Sequence, residues 1–370
     1  MQNFWKPNFK IDPFITILTF TILIFGFAVF FSASLGVLAR YEIKFYNTVQ
    51  NQFLFGILLG SLAFLLGSVL PTKFFKTISP FLFIIGVILC VLVFVPGIGF
   101  EHGGAKRWIT LFGMTFQPSE ILKYSSVLLL ASFYSFFHDK FDDWKYRILP
   151  ALCAAIFVFL VLKEPDLGTS TVILSGIFGV FLIINSRLKD IAIIFLFALP
   201  IFFGFYMYYP HAKERVNTFF SPEKNTSDQN YQANQTKISL GSGGWAGDGY
   251  GKSTQKFHYL PEPIGDSIFA VLGEEFGFTG SVIILLLVLI LAFRLFYLSY
   301  FLRDPFPKGV LVGTGIILLS QTFLNAGSAS GAIPFTGVPL PLISHGSTNI
   351  IITLGMLGLC AQLGARKYLH

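Results

Sequence analysis

Apolar runs of about 20 residues, nearly empty of charge, recur along most of this chain, and they limit its folds more than any other feature. A helix needs about that length to cross a hydrocarbon core roughly 30 Å thick. Strands of a membrane barrel would instead alternate over about 10 residues. Only 12% of the 370 residues are charged and 54% are hydrophobic, against roughly 25% charged in an ordinary soluble domain. The expected fold is an all-α integral membrane protein of about ten spans, at residues 13–32, 53–70, 79–95, 119–137, 148–162, 167–185, 191–209, 280–300, 309–328 and 342–364. The first run is too long for a secretory signal and lacks a small-residue cleavage site, so it is expected to stay as a span.

Basic residues set the orientation. Lys6, Lys10, Lys73, Lys76, Lys140, Lys145, Arg147, Arg187, Lys189, Arg303, Lys308, Arg366 and Lys367 fall at the termini and in the even-numbered loops. The short odd-numbered loops hold only Arg40, Lys44, Lys106, Arg107 and Lys163. Both termini are therefore expected in the cytoplasm, and the long segment 210–265, between the seventh and eighth spans, outside. Residues 1–370 read as a single polytopic domain. The net charge of +7 is mostly this bias, with no basic, aromatic-interleaved patch for nucleic acid. Cys90, Cys153 and Cys360 lie far apart within spans and read as small apolar fillers. No His/Cys ligand set, P-loop or dinucleotide fingerprint is present, which argues against a pump with its own ATPase domain.

Several polar groups stand out against this background. In the loop 96–118, Trp108, Ile109, Leu111 and Phe112 could rest on the membrane interface while Lys106 and Arg107 reach phosphate headgroups. Glu120 and Lys123, three apart at the start of the fourth span, share a helix face. They are either a structural ion pair or part of a headgroup site or proton path. Asp166, in KEPDLGTS, can cap the sixth span or stand beside a bound headgroup. Residues 241–275 are glycine-rich and charged, and their later part, DSIFAVLGEEFGF, reads as an amphipathic segment. There Asp266 is either a helix cap or, beside apolar surface, a base. Two helical turns on, Glu274 could share its face. The proline- and glycine-rich stretch 333–349 also faces outside, so the two loops could form opposite walls of one cleft.

At these residues the chain resembles the SEDS family, which includes RodA, FtsW and SpoVE. The resemblance rests on GAKRWI with QPSEILK, on KEPDLGTS, on ISLGSGGWAGDGYGKSTQKFHYLPEPIGDSIFAVLGEEFGFTG and on FTGVPLPLISHGSTN, all in the family's order. It implies ten membrane helices in the bacterial cytoplasmic membrane. It also implies polymerisation of lipid II into peptidoglycan glycan strands, with a class B penicillin-binding transpeptidase and other divisome or elongasome proteins as partners. Asp266 matches the family's catalytic outer-loop aspartate, Glu120 and Lys123 its paired acid and base, and Arg107 and Asp166 polar positions around its cavity. Lys106, Ser344, His345 and Lys256 complete the candidate substrate contacts, with Lys256 also shaping the loop around Asp266.

In that chemistry a base activates an acceptor hydroxyl, while cationic donors or a metal stabilise charge growing on a departing pyrophosphate. No cofactor is indicated beyond a divalent cation that could serve there. Two departures touch the site: ISHGST stands where relatives commonly have a tyrosine and two glycines, and PIGDS where many have threonine and phenylalanine around the aspartate. GKSTQK and LPEP resemble the division or sporulation branch more than the elongation branch. The alternative functions are a transporter (flippase) of a lipid-linked precursor and a scaffold that anchors a transpeptidase. An outward aspartate in a glycine-rich loop favours the enzyme, since a transporter places its key charges near the midplane.

Overall fold

In the computed structural model the described residues are 10–39, 41–102, 105–111, 114–140, 166–184 and 228–365, with isolated positions between 143 and 220. The chain begins with α1 (Pro13–Leu38), whose start is set by Asp12: its Oδ1 accepts from Ile15 N at 3.0 Å, and proline occupies the first turn. Helix α2 (Glu42–Val69) follows almost at once. Its outer turns lengthen the expected second span, and at Gln52–Leu59 it takes the wider π geometry. Helix α3 is Thr72–Leu92.

The loop 96–118 carries a three-stranded antiparallel sheet, β1 (Gly99–His102), β2 (Ala105–Leu111) and β3 (Met114–Phe116), in the order β1-β2-β3. Ile109, assigned to the interface, is buried. The alternation in AKRWITL sends Ile109 inward. Phe112 lies outside the described residues. Next come α4 (Pro118–Phe136) and α5 (Leu167–Ile184). Then follow α6 (Asp228–Ser242), the short α7 (Gln255–His258), α8 (Ile268–Tyr300), α9 (Pro305–Ser330) and α10 (Ser347–Ala365). The stretch around NYQANQTK, polar and turn-rich by composition, is therefore helical.

Seven of these helices are long and apolar enough to span a membrane, and α4, with Glu120 and Lys123 in its 19 residues, matches an eighth expected span. The expected span 191–209 lies outside the described residues, as does 148–162 apart from residues 153 and 156. The last span starts at Ser347 rather than 342, because Pro339, Pro341 and a left-handed Leu342 (φ 62°) keep the preceding turn out of the helix. Helices α9 and α10 form the centre: 72% and 83% of their most apolar stretches are enclosed, against 22% for α3. Polar groups on α9 and α10 therefore need partners within the protein.

Small residues allow the close approach of helices that membrane packing depends on. A Cβ at Gly67 would overlap Gly355 O, and one at Gly358 would overlap Phe64 O, so α2 and α10 meet backbone to backbone. At the end carrying the chain terminus, Arg294 meets Asp12 at 2.6 Å, and Lys76 meets Asp304 and Ser135, each at 2.8 Å. Burial alone would raise the Asp304 pKa, but Lys76, Phe306 N–H and Ser135 together hold the carboxyl below its usual range. Cys90, Cys153 and Cys360 are free and buried, as fillers should be.

Candidate active site

The glycine-rich loop exists to complete a broken helix. Gly277 (φ 67°, ψ −166°) interrupts α8, freeing carbonyls before the break and N–H groups after it. Residues 243–249 satisfy both sets. Asp248 N and Gly249 N donate to Glu274 O and Glu275 O, each at 3.0 Å. Phe278 N and Thr279 N donate to Gly244 O at 2.8 Å and Trp245 O at 3.2 Å. A Cβ at Gly247 would overlap Glu275 O, so only glycine permits this seam. The eighth span expected at residue 280 thus begins at Ile268, and residues 268–275 are buried on every side rather than amphipathic.

Three charges of this stretch, Glu274, Glu275 and Lys256, are held inside the protein. Glu274, 1% exposed, accepts from Ser239 Oγ, Ser253 Oγ and Thr254 N at 2.7 Å, and from Gln255 N at 3.2 Å. It caps α7. Lys256 Nζ is fully enclosed, pairing with Glu275 at 2.5 Å and with Ser32 Oγ at 2.9 Å. That contact makes Lys256 a shaping element, tying α1 to the loop, with its charge turned into the protein.

Asp266 stands differently. The cap position of α8 is Ser267, so Asp266 lies one residue ahead of it. Its backbone carbonyl accepts from Asn325 Nδ2 at 3.0 Å, and the same Nδ2 reaches Val338 O at 2.7 Å. Ser344 Oγ donates to Gly265 O at 2.9 Å and His345 N to Ile264 O at 2.7 Å. The two loops therefore join along a hydrogen-bonded seam instead of facing each other across a gap. The physical reason is the proline content of 334–341: residues outside any helix leave free carbonyls, which buried side-chain amides and neighbouring N–H groups must satisfy. Gly337, at φ 69°, brings backbone beside the acid, and a Cβ there would sit 3.1 Å from Asp266 Oδ2.

The other candidate residues reach this seam by two routes. Glu120 and Lys123, 2.7 Å apart and buried, form the expected pair. Lys123 Nζ also donates to Gln321 Oε1 at 2.9 Å, and Gln321 Nε2 donates to Pro339 O at 2.9 Å. Asp166 caps α5, its Oδ1 accepting from Thr169 N at 3.0 Å, and faces Arg107 of β2 at 3.4 Å. The first turn of α5 packs on the same loop, since a Cβ at Gly168 would lie 2.9 Å from Thr336 O. Lys106 is exposed beside Arg107. Among the described residues no group of three His, Cys, Asp or Glu side chains gathers as a metal site would require.

Three residues that the sequence reading passed over hold the site: Gln52, Gln321 and Asn325. Gln52 Nε2 donates to Ser344 O at 3.2 Å, and its Oε1 accepts from Gly346 N at 3.3 Å. The available signal was an uncharged amide inside or beside an apolar span, which is expensive unless bonded.

Ser344 Oγ also accepts from Leu340 N at 2.7 Å, closing the turn that presents His345. The imidazole stacks on Phe30 at 5.9 Å and lines a cavity of about 650 Å³ with Lys44, Asn47 and Asn51 of α2. Enclosure lowers the His345 pKa, Glu262 opposes this, and Lys44 adds to it. Both folded and unfolded chains carry neutral imidazole well above the ordinary pKa near 6.5. As pH falls through that value the unfolded chain takes up its proton first, so stability is lost on the acid side. Thermal unfolding in detergent should show the wild type losing more stability than His345→Gln between about pH 7 and pH 5. Equal losses would remove His345 as the source.

A family model described as "Cell cycle protein", for FtsW, RodA and SpoVE, matches residues 13–368. Stage V sporulation protein E of Bacillus subtilis is 31% identical over 350 residues, covering 94% of this chain and 95% of that protein. The peptidoglycan glycosyltransferase MrdB of Escherichia coli K12 is 32% identical over 373 residues, covering 99% and 96%. The probable peptidoglycan glycosyltransferase FtsW of Marinomonas mediterranea is 30% identical, covering 96% and 88%. These near-equal identities do not separate the branches. Among solved structures, a chain from a peptidoglycan synthase complex that coordinates polymerization and crosslinking superposes with a TM-score of 0.77 at 28% identity, covering 97% of this chain and 99% of that one. Thermus thermophilus RodA gives 0.68 at 28% identity, covering 97% and 98%.

Proposed function

Since this chain belongs to the FtsW/RodA/SpoVE family, it is a multi-pass membrane peptidoglycan glycosyltransferase, and we propose that it polymerises lipid II with Asp266 as the base. The observation that carries the assignment is the placement of Asp266: one residue ahead of the cap position of α8, held by its backbone to Asn325, and abutting a glycine where no side chain intrudes. In the reaction an acceptor hydroxyl gives its proton to the Asp266 carboxylate as its oxygen bonds the anomeric carbon of the donor sugar. The bond from that carbon to the lipid pyrophosphate breaks, and the pyrophosphate leaves with the electron pair. Lys106, exposed, and Arg107, beside Asp166, are the cations assigned here to meet its charge. Lys123 already serves two acceptors, which favours a supporting role for the Glu120–Lys123 pair. Ser344 and His345 shape the seam from the other side.

The remaining assignments rest on topology and analogy. Residues 1–370 form one membrane domain in the bacterial cytoplasmic membrane, with both termini in the cytoplasm and segment 210–265 outside, as the basic residues favour. A class B transpeptidase is the partner suggested by the solved complex that couples polymerization to crosslinking.

Purified protein with such a partner, given fluorescent lipid II in detergent, should yield glycan ladders. Labelled lipid that crosses reconstituted vesicles with no ladder would establish the transporter instead. Neither ladder nor crossing, from folded protein bound to its transpeptidase, would leave the scaffold.

A further inference from the structure

Helix α9 carries two buried amides one turn apart, and both point at the loop beside Asp266. Asn325 and Gln321 are each 1% exposed. The orientation of Asn325 follows from its neighbours: Nδ2 meets two carbonyls, those of Asp266 and Val338, and only the NH₂ end of an amide can donate to both. Gln321 is oriented just as firmly, with Oε1 accepting from Lys123 and Nε2 donating to Pro339 O. Residues four apart on a helix stack on one face, so the two amides form a ladder. One rung fixes the backbone of Asp266 to Val338, and the other fixes Pro339 to the Glu120–Lys123 pair. Gly337, which abuts the Asp266 carboxylate, is the residue just before Val338.

We propose that Asn325 and Gln321 are positioning residues for the reaction, holding the Asp266 carboxylate against the 337–339 backbone and linking that placement to the buried ion pair. The inference rests on the reading of Asp266 as the base. Neither amide needs to touch substrate. Their effect is on where the base sits, and a displacement of about 1 Å can cost on the order of 10²-fold in rate.

The test uses the full chain with its transpeptidase and fluorescent lipid II. Asn325→Asp keeps the size of the side chain and removes both N–H donors, leaving at most one O–H when protonated. Gln321→Glu keeps the acceptor for Lys123 and removes the donor to Pro339. We expect kcat to fall about 10- to 100-fold in Asn325→Asp, with KM for lipid II essentially unchanged and the acid limb of the pH–rate profile displaced. A smaller fall in kcat is expected for Gln321→Glu. A merely structural role would lower kcat only in proportion to the folded fraction and leave the pH profile in place, and that result would overturn the inference. Asn325→Ala, read in the same way, decides the matter if the aspartate variant does not fold, and Gln321→Glu does so if neither folds. Wild-type kcat in folded Asn325 variants, with Asp266→Asn inactive, would sink only this inference. An active Asp266→Asn would sink the reading of the base as well.

Discussion

Asp266→Asn is expected to lower glycan polymerisation by about 10²- to 10⁴-fold, the usual contribution of a positioned general base, while the protein stays folded. Asparagine matches aspartate in shape and leaves in place the backbone carbonyl that Asn325 binds. The cap of α8 is untouched, because Ser267 holds that position. The loss should therefore appear in kcat, with lipid II binding retained and the thermal unfolding temperature nearly unchanged. Both are measurable on one detergent preparation, by ladder formation and by a thermal-shift assay. Turnover within a few-fold of wild type would remove Asp266 from the chemistry; Glu274 and Glu275, the next two carboxylates along the chain, are engaged with α7, Ser32 and Lys256.

The second large effect is expected at the Glu120–Lys123 pair. Lys123→Met leaves a carboxylate, 2% exposed as a residue, without its counter-charge and leaves Gln321 Oε1 without its donor. Stranding one member of a buried pair typically costs about 3–5 kcal/mol, whereas replacing both with apolar groups is close to neutral. Lys123→Met alone should therefore unfold at markedly lower temperature, and Glu120→Leu with Lys123→Met should regain most of the loss. The double variant is expected to stay poorly active, because Gln321 has lost the group that holds it against Pro339. If the single variant were as stable as the double, the pair would not be held by mutual compensation.

The architecture was legible because bilayer thickness imposes a length on every span, and that length is visible in one dimension. Among the described residues the eight expected spans they cover are all helices, and their bounds differ where backbone geometry intervenes. At α8 the glycine break made the helix look shorter than it is, because residues 268–276 precede a kink that only loop 243–249 can satisfy. At 96–118 the aromatic residues suggested an interface, yet the strand alternation buries Ile109. Glu120 and Lys123 were readable as a pair because their contact is local, three residues apart. Gln321 and Asn325 were not, because their partners Lys123 and Asp266 lie 198 and 59 residues away.

The sequence by itself determined that the chain lives in a membrane, roughly where it crosses, and which acid to suspect. Those facts follow from hydrophobic length, the placement of basic residues and motifs readable along the chain. Only the tertiary structure decided what each polar group is for. It set Asp266 one residue ahead of the cap position, committed Glu274, Glu275 and Lys256 to scaffolding, and joined two loops that the sequence left apart. The reason is physical: in an interior without water every polar group must find a partner, and that partner is chosen by proximity in space.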